Sequence, residues 1–264
     1  MSETTVLWGV DARGVAEVTL NRPERNNAYN DALIAGLHAA VDALEGVDHL
    51  RAVVIRSAGR HFQAGADLTW LKSVRSGGAE ANRAVSRATA EIVDRLNSVP
   101  AVTVALVNGA CIGGGTGVLA ACDVVIAEAS ATFAISEIRW GLTAAVIVPQ
   151  LVDAIGVRQC RRYALTGERF DADEARRIGL VHEIVAEGDL QVSADRVLDA
   201  VLKGAPKAIA ETKALIRSES RGAIQAAALT ELIDAHADKR QSDEAGEGLA
   251  AFDQKRSPDW GPDR

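Results

Sequence analysis

The chain has few aromatic residues, cysteines, prolines and methionines. Aromatic residues make up 4% of its 264 positions, and it contains 3 cysteines, 6 prolines and 1 methionine. The odd number of cysteines and the lack of a C-x-x-C pair argue against a disulfide framework. We therefore expect Cys111, Cys122 and Cys160 to be small buried residues of a protein from a reducing compartment.

Long apolar runs and an excess of positive charge are also missing. No stretch of about twenty residues is free of charged and turn-forming residues, so no membrane span is expected. No basic segment followed by an apolar one opens the chain, and a cytosolic location is therefore expected. The formal net charge of −7 disfavours nucleic-acid binding. The histidines lack metal-ligand spacing, so no metal site is expected.

The residues that are present are typical of a globular α/β protein. Apolar residues make up 48% of the chain and charged residues 25%. The length suits one large domain, alone or with a small appendage. The spacing predicts a hairpin of residues 6–10 and 15–20, a helix from Asn30 or Asp31, and a strand over 51–57. A helix is predicted over 81–99, ending before Pro100.

The next segment predicts a β-α-β unit with parallel strands. Its strands are residues 102–107 and 124–127, and its helix is 114–122. After Pro149 the pattern is almost wholly helical, with helices predicted at 206–217, 223–237 and 243–252. We interpret residues 1–200 as a sheet-and-helix core that carries the functional site, and 201–264 as a helical C-terminal region.

Two glycine-bearing turns are the most informative feature of the sequence. They span residues 61–68 and 108–117, and each follows an apolar β-branched strand and opens a helix. Such turns leave backbone N–H groups unpaired at a helix start. Two of them on neighbouring strands indicate a pair of amides that converge on one oxygen, which is the arrangement of an oxyanion hole.

A nucleotide-binding interpretation fits the second turn poorly. The G-x-G-x-x-G pattern would need glycine at position 118, which is Val118, and the Walker pattern would need Gly-Lys-Ser/Thr, which Thr116-Gly117 does not supply. Close packing of a helix on a strand through small residues remains an alternative for this turn taken alone.

The chain resembles the enoyl-CoA hydratase/isomerase, or crotonase, family from about residue 6 to residue 256. The matching segments are Leu20-Asn21-Arg22-Pro23, Phe62-Gln63-Ala64-Gly65-Ala66-Asp67-Leu68, Val107-Asn108-Gly109-Ala110 with Gly113-Gly114-Gly115 and Cys122-Asp123, and Leu165-Thr166-Gly167-Glu168. Their shared order makes a chance match improbable.

The resemblance implies an α/β fold of the crotonase type, a β-β-α superhelical spiral with a helical C-terminal region that contributes to trimerisation and CoA contact. It also implies acyl-CoA thioester substrates, no cofactor beyond the coenzyme A of the substrate, and a homotrimer or a dimer of trimers. By this resemblance the amides of Ala66 and Gly114 hold the thioester oxygen. It further implies CoA or substrate contacts for Arg25, Ala28, Ala64, Asp67, Leu68, Gly117 and Lys255.

Hydratases of this family usually carry two catalytic glutamates, and this chain keeps one. Glu137 matches the second, whereas the first position is Gly117. A subgroup with this departure resembles hydratases of methylglutaconyl-CoA and isohexenylglutaconyl-CoA, which are branched, carboxylated enoyl-CoAs. We hypothesise that the space left at Gly117 admits a β-branched substrate or an ordered water. The chain departs from the subgroup at Trp140 and Thr143.

Several residue roles and activities stay open at this level. Glu137 is expected in an apolar setting that raises its pKa, although pairing with Arg139 or capping a helix would also explain it. Asp67 is expected to cap a helix, and His61 to lie in a loop near solvent. Hydration of a 2-enoyl-CoA is the predicted activity. The rivals are a double-bond isomerase, a catalytically silent CoA-binding protein and, least favoured, a serine hydrolase.

Overall fold

The strands of the protein form one large and one small sheet. The computed structural model describes residues 4–219 and 226–260. Its strands are β1 (Val6–Val10), β2 (Val15–Leu20), β3 (Ala52–Ser57), β4 (Val102–Val107), β5 (Ala110–Ile112), β6 (Val124–Glu128), β7 (Thr132–Ala134), β8 (Phe170–Asp171) and β9 (Glu183–Val185).

The large sheet has the order β1-β2-β3-β4-β6-β9, and the small sheet has the order β5-β7-β8. β1 and β2 pair antiparallel, as predicted for the hairpin, and the other neighbours in the large sheet pair parallel. The parallel pairing of β4 with β6 confirms the predicted β-α-β unit. The short strands β5, β8 and β9 were not predicted, because two or three residues carry too little periodicity to be recognised.

Ten α-helices and two short 3-10 helices lie in the described residues. The α-helices are α1 (Asp31–Glu45), α2 (Leu68–Ser76), α3 (Gly78–Ser98), α4 (Gly114–Ala120), α5 (Val148–Thr166), α6 (Ala172–Ile178), α7 (Leu190–Lys203), α8 (Pro206–Glu219), α9 (Ala226–Gln241) and α10 (Asp243–Asp253). The 3-10 helices are Pro23–Arg25 and Glu137–Trp140. The predicted positions 223–225 lie outside the described residues.

Local sequence explains where the helices begin. The Asn30 side chain caps α1 by accepting a hydrogen bond from the backbone N–H of Leu33. α3 begins at Gly78, three residues earlier than the pattern predicted. Gly78 takes a positive φ of 80°, a left-handed conformation that favours glycine, and this residue separates α3 from α2.

The strands and helices alternate as turns of a spiral. A strand of the large sheet leads into a strand of the small sheet and then into a helix, as in β4-β5-α4 and β6-β7-α5. The chain before α2 follows the same course, because Gln63 forms an isolated parallel bridge with Cys111 of β5. The mixed α/β architecture with a helical C-terminal region is therefore confirmed.

The last helices return to the core. α9 packs along α3, and α10 packs against the 3-10 helix 137–140. Within residues 4–219 and 226–260, no helix is both long enough and apolar enough to cross a membrane.

Gly117 does not leave the open space that the sequence suggested. It is buried in α4, and a Cβ atom built on it would overlap Ile147 Cγ2 and lie 2.6 Å from Ile147 Cβ. Ile147 immediately precedes α5, which packs on α4. The hypothesis that this position admits a branched substrate or a water is therefore wrong, because the Ile147 side chain fills the space.

We expect Gly117→Ala to destabilise the protein by about 1–3 kcal/mol, the range for inserting a methyl group into a packed core. Ile147→Ala alone should also destabilise the protein, because it leaves a cavity in the core. The double variant should lose less stability than the sum of the two single variants, because it removes the side chain that the new methyl group strikes. Denaturant unfolding of wild type, the two single variants and the double variant measures the coupling. Additive effects of the two substitutions would show that α4 and α5 do not meet here.

Candidate active site

Both glycine-bearing turns open into one large cavity. It has a volume of 1720 Å³ and lies between the two sheets and the C-terminal helices. Of the sequence-predicted site residues, it is lined by Ala64, Ala66, Leu68, Gly114, Glu137 and Lys255. The structure thus brings together six of the ten residues that the sequence singled out.

The first turn is held so that one amide faces away from its own scaffold. The carbonyl of Gly65 accepts hydrogen bonds from the backbone N–H of Tyr29 at 2.8 Å and from Gln63 Nε2 at 3.0 Å. A trans peptide directs its C=O and its N–H in opposite directions. The Ala66 N–H, which shares this peptide plane, therefore points away from Tyr29. Gln63 is fully buried, so its side chain holds the Gly65 carbonyl in a fixed position.

The second turn is fixed in the same way. The Gly113 carbonyl accepts from the backbone N–H of Thr116 at 2.8 Å and from its hydroxyl at 2.7 Å. The Gly114 N–H lies on the opposite side of that peptide plane, at the first position of α4. Gly113 has φ 55°, a left-handed conformation that favours glycine. The buried Thr116 therefore sets the direction of the Gly114 amide.

The two turns lie side by side, next to Glu137. A Cβ atom built on Gly113 would be 3.7 Å from Gly65 Cα and 3.2 Å from Glu137 Oε1. In the part of the chain that the structure describes, the N–H groups of Ala66 and Gly114 have no assigned acceptor. Two unpaired main-chain donors and a carboxyl group thus border the same space.

Glu137 is a carboxyl group in an apolar setting. Its Oε2 is buried and has no hydrogen-bond partner within residues 4–219 and 226–260. Burial raises the pKa of Glu137 to about 7, although the backbone amides of Glu137 and Ser136 lower it in part. The alternative pairing with Arg139 does not form, because Arg139 Nε donates to the carbonyl of Gly167 at 2.9 Å.

Two other residues with carboxylate side chains, Glu128 and Glu187, line the cavity. Among the described residues, neither forms a hydrogen bond with the two glycine-bearing turns. Glu128 accepts a hydrogen bond from the backbone N–H of Gly188 at 3.1 Å, and Glu187 is next to that glycine in the chain. Glu137 is therefore the carboxyl group that the structure places beside the two amides.

Four predicted contact residues do not line the cavity. Asp67 caps α2 by accepting from the amides of Thr69 and Trp70, as expected, and also binds Arg22 Nη2 at 2.8 Å. Arg25 is exposed at the end of its 3-10 helix, and Ala28 is buried. Gly117 lies beneath Ile147.

His61 lies in a loop, as expected. It is only partly exposed, and its Nδ1 accepts a hydrogen bond from the backbone N–H of Ala110 at 3.0 Å. Burial, followed by the nearby charge of Arg60, lowers the pKa of His61. The side chain therefore ties the first turn to the second as a neutral acceptor.

The sequence predicted a CoA contact from the C-terminal region through Lys255, but it did not single out the helix residues that line the cavity wall. His236 and Arg240 from α9 line it, as do Gly248, Ala251 and Phe252 from α10. The signal was present as spacing, because His236 and Arg240 are four residues apart and so share one helix face. Gln63 and Thr116, which fix the two peptide planes, lie in the two glycine-bearing turns, but the sequence did not predict this role for them.

Comparison with known proteins gives the family. The model of the enoyl-CoA hydratase/isomerase family matches residues 11–263. The solved structure of Pseudomonas aeruginosa AtuE is similar with a TM-score of 0.79 and 40% identity, covering 98% of this chain and 100% of that chain. This chain therefore belongs to the enoyl-CoA hydratase/isomerase family, and its fold is the crotonase fold.

The relatives of this chain include both a hydratase and an isomerase. Mevalonyl-coenzyme A hydratase sidH of Aspergillus fumigatus is 31% identical over 249 residues, which are 94% of this chain and 91% of that protein. The mitochondrial Delta(3,5)-Delta(2,4)-dienoyl-CoA isomerase of Dictyostelium discoideum is 28% identical over 258 residues, covering 94% and 88%. The protein is an enzyme of this family.

The raised pKa of Glu137 predicts how the Glu137→Gln variant changes stability. The folded protein keeps the Glu137 proton up to about pH 7, whereas the unfolded chain releases it near its usual pKa of 4.5. Wild type therefore loses stability as the pH rises between these values, and Glu137→Gln does not. Relative to wild type, the variant should gain about 2 kcal/mol between pH 5 and pH 8. This value is below that of the full pKa shift, because residue 137 as a whole is partly exposed although its Oε2 is buried.

Denaturant unfolding at the two pH values measures this gain. Glu174→Gln is the control, because hydrogen bonds from Arg177 and Tyr163 lower the pKa of Glu174 to about 2, so its stabilising contribution is lost only as the pH falls below about 4.5. The stability difference between this variant and wild type should be nearly the same at the two pH values. A Glu137→Gln difference that does not change with pH would show that Glu137 is ionised without penalty in the folded protein.

Proposed function

We propose that this protein is an enoyl-CoA hydratase that adds water to the C2=C3 bond of a 2-enoyl-CoA thioester. The observation that carries the proposal is the pair of unpaired amides, at Ala66 and Gly114, beside the buried carboxyl group of Glu137. In this arrangement the thioester oxygen accepts both N–H groups, and the acyl chain lies within reach of Glu137.

The two amides stabilise the charge that forms during the reaction. When water adds at C3, the C2=C3 electrons move toward the thioester and its oxygen becomes an enolate oxygen. Donors that are already oriented cost no reorganisation at that moment, and one such donor typically contributes about 10²–10³ in rate. The buried side chains of Gln63 and Thr116 fix this orientation here.

Glu137 then moves one proton in two steps. Its carboxylate takes a proton from the attacking water as the C3–O bond forms, and the resulting carboxylic acid gives that proton to C2 as the enolate collapses. The water thereby supplies both the hydroxyl at C3 and, through Glu137, the hydrogen at C2. A pKa of about 7 suits a group that must accept and donate near neutral pH.

The coenzyme A portion extends toward the mouth of the cavity. The cationic residues Arg60, Lys255 and Arg256 line the cavity, and Arg60 and Lys255 are exposed. We propose that Lys255 binds CoA phosphate oxygens, whereas Arg25 could reach only a part of CoA outside this cavity. No cofactor beyond the CoA of the substrate is needed. A homotrimer or hexamer, a cytosolic location and a branched acyl chain stay predictions.

A double-bond isomerase is the second candidate. One carboxyl group beside the turns is enough to move a proton between two carbons of an acyl chain. Reaction in ¹⁸O-labelled water separates the two activities, because a hydratase incorporates the label into a 3-hydroxyacyl-CoA and an isomerase does not. If the products form at the rate of turnover but carry no ¹⁸O label, the enzyme is an isomerase and the proposed hydration is wrong.

Removing the Glu137 carboxyl group should nearly abolish turnover. We expect Glu137→Gln to lower kcat by about 10²–10⁴, the usual contribution of a positioned acid–base group. The wild-type kcat/KM for a linear 2-enoyl-CoA should rise with pH through about 7, since the carboxylate form starts the reaction. Glu128→Gln, which changes another cavity carboxylate, should stay close to wild type. Retained turnover in Glu137→Gln would remove Glu137 from the mechanism.

The Thr116 hydroxyl should act through the Gly114 amide. Thr116→Val removes one of the two hydrogen bonds that hold the Gly113 carbonyl, and we expect kcat to fall roughly ten-fold, less than when a donor is lost outright. KM should change little, because the ground-state carbonyl depends less on the donors than the enolate does. Thr116→Ser keeps the hydroxyl and should restore kcat. Equal activity of the Val and Ser variants would exclude this positioning role.

A further inference from the structure

A buried polar seam joins α3 to α9 and reaches the cavity wall. α3 contributes Asn82, Ser86 and Thr89, which share one face because they are spaced by four and three residues. α9 contributes His236 and Arg240, one turn apart. Thr89, His236 and Arg240 also line the cavity that contains the two glycine turns. Five polar residues therefore occupy a contact where apolar packing would be usual.

Arg240 is the exceptional member of this seam. It is only 2% exposed and is the largest fully buried side chain among the described residues. Its Nη1 lies 3.3 Å from Asn82 Oδ1, and its Nη2 lies 3.3 Å from Ser86 Oγ and 3.1 Å from His236 Nδ1. Its Nε is buried and has no partner within residues 4–219 and 226–260.

None of the atoms that contact the guanidinium carries a negative charge. Asn82 and Ser86 are neutral, and burial together with the charge of Arg240 lowers the pKa of His236 to about 3, which makes the imidazole neutral. Burial alone lowers the pKa of Arg240 to about 10, so the guanidinium remains charged at neutral pH. The described residues provide no salt bridge to it, in contrast to Arg22, which pairs with Asp67.

An isolated buried charge is costly unless an anion neutralises it. The side chains around Arg240 provide neutral hydrogen-bond acceptors that hold the guanidinium in place, and one side of it borders the cavity. A molecule inside the cavity is in a position to supply the missing anion. Arginine suits a carboxylate in particular, since its planar fork donates two parallel hydrogen bonds to the two oxygens.

We propose that Arg240, supported by His236, Ser86 and Asn82, binds a carboxylate at the distal end of the substrate's acyl chain. This inference rests on the proposed function and narrows its substrate class to 2-enoyl-CoA thioesters of dicarboxylic acids. The thioester end is held at Ala66 and Gly114, and the free carboxylate reaches the α3–α9 seam. Uncharged acyl chains leave the buried guanidinium without an anion and bind more weakly.

The CoA phosphates are a second source of negative charge. They are bulky and strongly hydrated, and the exposed cations at positions 60 and 255 already line the cavity for them. Arg240 is almost without solvent exposure, which favours the small carboxylate of an acyl chain over a phosphate that must stay hydrated. Free CoA is therefore included as a separate ligand in the test.

The test measures binding of unreactive ligands, so that it does not depend on catalysis. Calorimetry compares saturated mono-CoA thioesters of dicarboxylic acids, such as glutaryl-CoA and adipoyl-CoA, with the same acyl chains ending in a primary amide. For the best chain length, wild type should bind the acid roughly 10- to 100-fold more tightly than the amide, the range for hydrogen bonds to a charged group. Arg240→Met should bring this ratio close to one, and Arg240→Lys should keep part of it.

The matched control is Arg83→Met. Arg83 also joins α3 to α9, through an ion pair of its Nε with Asp234 Oδ1 at 2.6 Å, but it does not line the cavity. This variant should keep the wild-type preference for the acid. Free CoA should bind equally well to wild type and Arg240→Met. If Arg240→Met does not fold, Arg240→Gln replaces it, with thermal melting as the check.

The outcomes separate this inference from the proposed hydration. A wild-type ratio near one, or a ratio that Arg240→Met and Arg240→Gln leave unchanged, overturns the carboxylate site whatever reaction the enzyme catalyses. Weaker binding of free CoA to Arg240→Met assigns the guanidinium to a CoA phosphate instead and also overturns it. A preserved ratio with no water incorporation into any enoyl-CoA keeps the carboxylate site and rejects the hydratase.

Discussion

The orientation of two peptide planes is the constraint on which the rest of this site depends. Gly65 and Gly113 each offer a carbonyl that is held twice, once by a backbone amide and once by a buried side chain. The planar trans peptide converts this anchoring into a fixed direction for the next N–H group. Two donors are thereby set before any substrate arrives, and they need no reorganisation as charge forms. The spiral serves this purpose by laying the first turn alongside β5 through Gln63.

A low-polarity environment gives these donors and Glu137 their strength. The same burial that raises the pKa of Glu137 to about 7 also increases the effect of each hydrogen bond to a developing negative charge. Ile147 contributes by filling the space above Gly117 with hydrocarbon. The wall formed by α9 and α10 encloses the cavity from the other side, so the C-terminal helices belong to the active site as well as to the outer surface.

The sequence predicted the features that depend on local order along the chain. The hairpin, the β-α-β unit, the two turns, the Asp67 cap and the apolar setting of Glu137 all follow from neighbouring residues and are confirmed. Contacts between distant segments could not be predicted in this way. Nothing near Gly117 in the sequence shows that Ile147 fills its space, and nothing near Ser86 shows that Arg240 from α9 lies against it. The hydrogen bond between His61 and Ala110 was not predicted for the same reason, because Ala110 comes from the other turn.

The most direct test of the account is the state of the bound thioester carbonyl. A 2-enoyl-CoA labelled with ¹³C at the thioester carbon is bound to Glu137→Gln, and its carbon resonance is compared with that of the free ligand. If the Ala66 and Gly114 amides both donate to the thioester oxygen, the carbonyl is polarised and its resonance moves downfield on binding. A bound ligand whose carbonyl resonance stays at its free position would contradict the oxyanion hole and, with it, the proposed reaction.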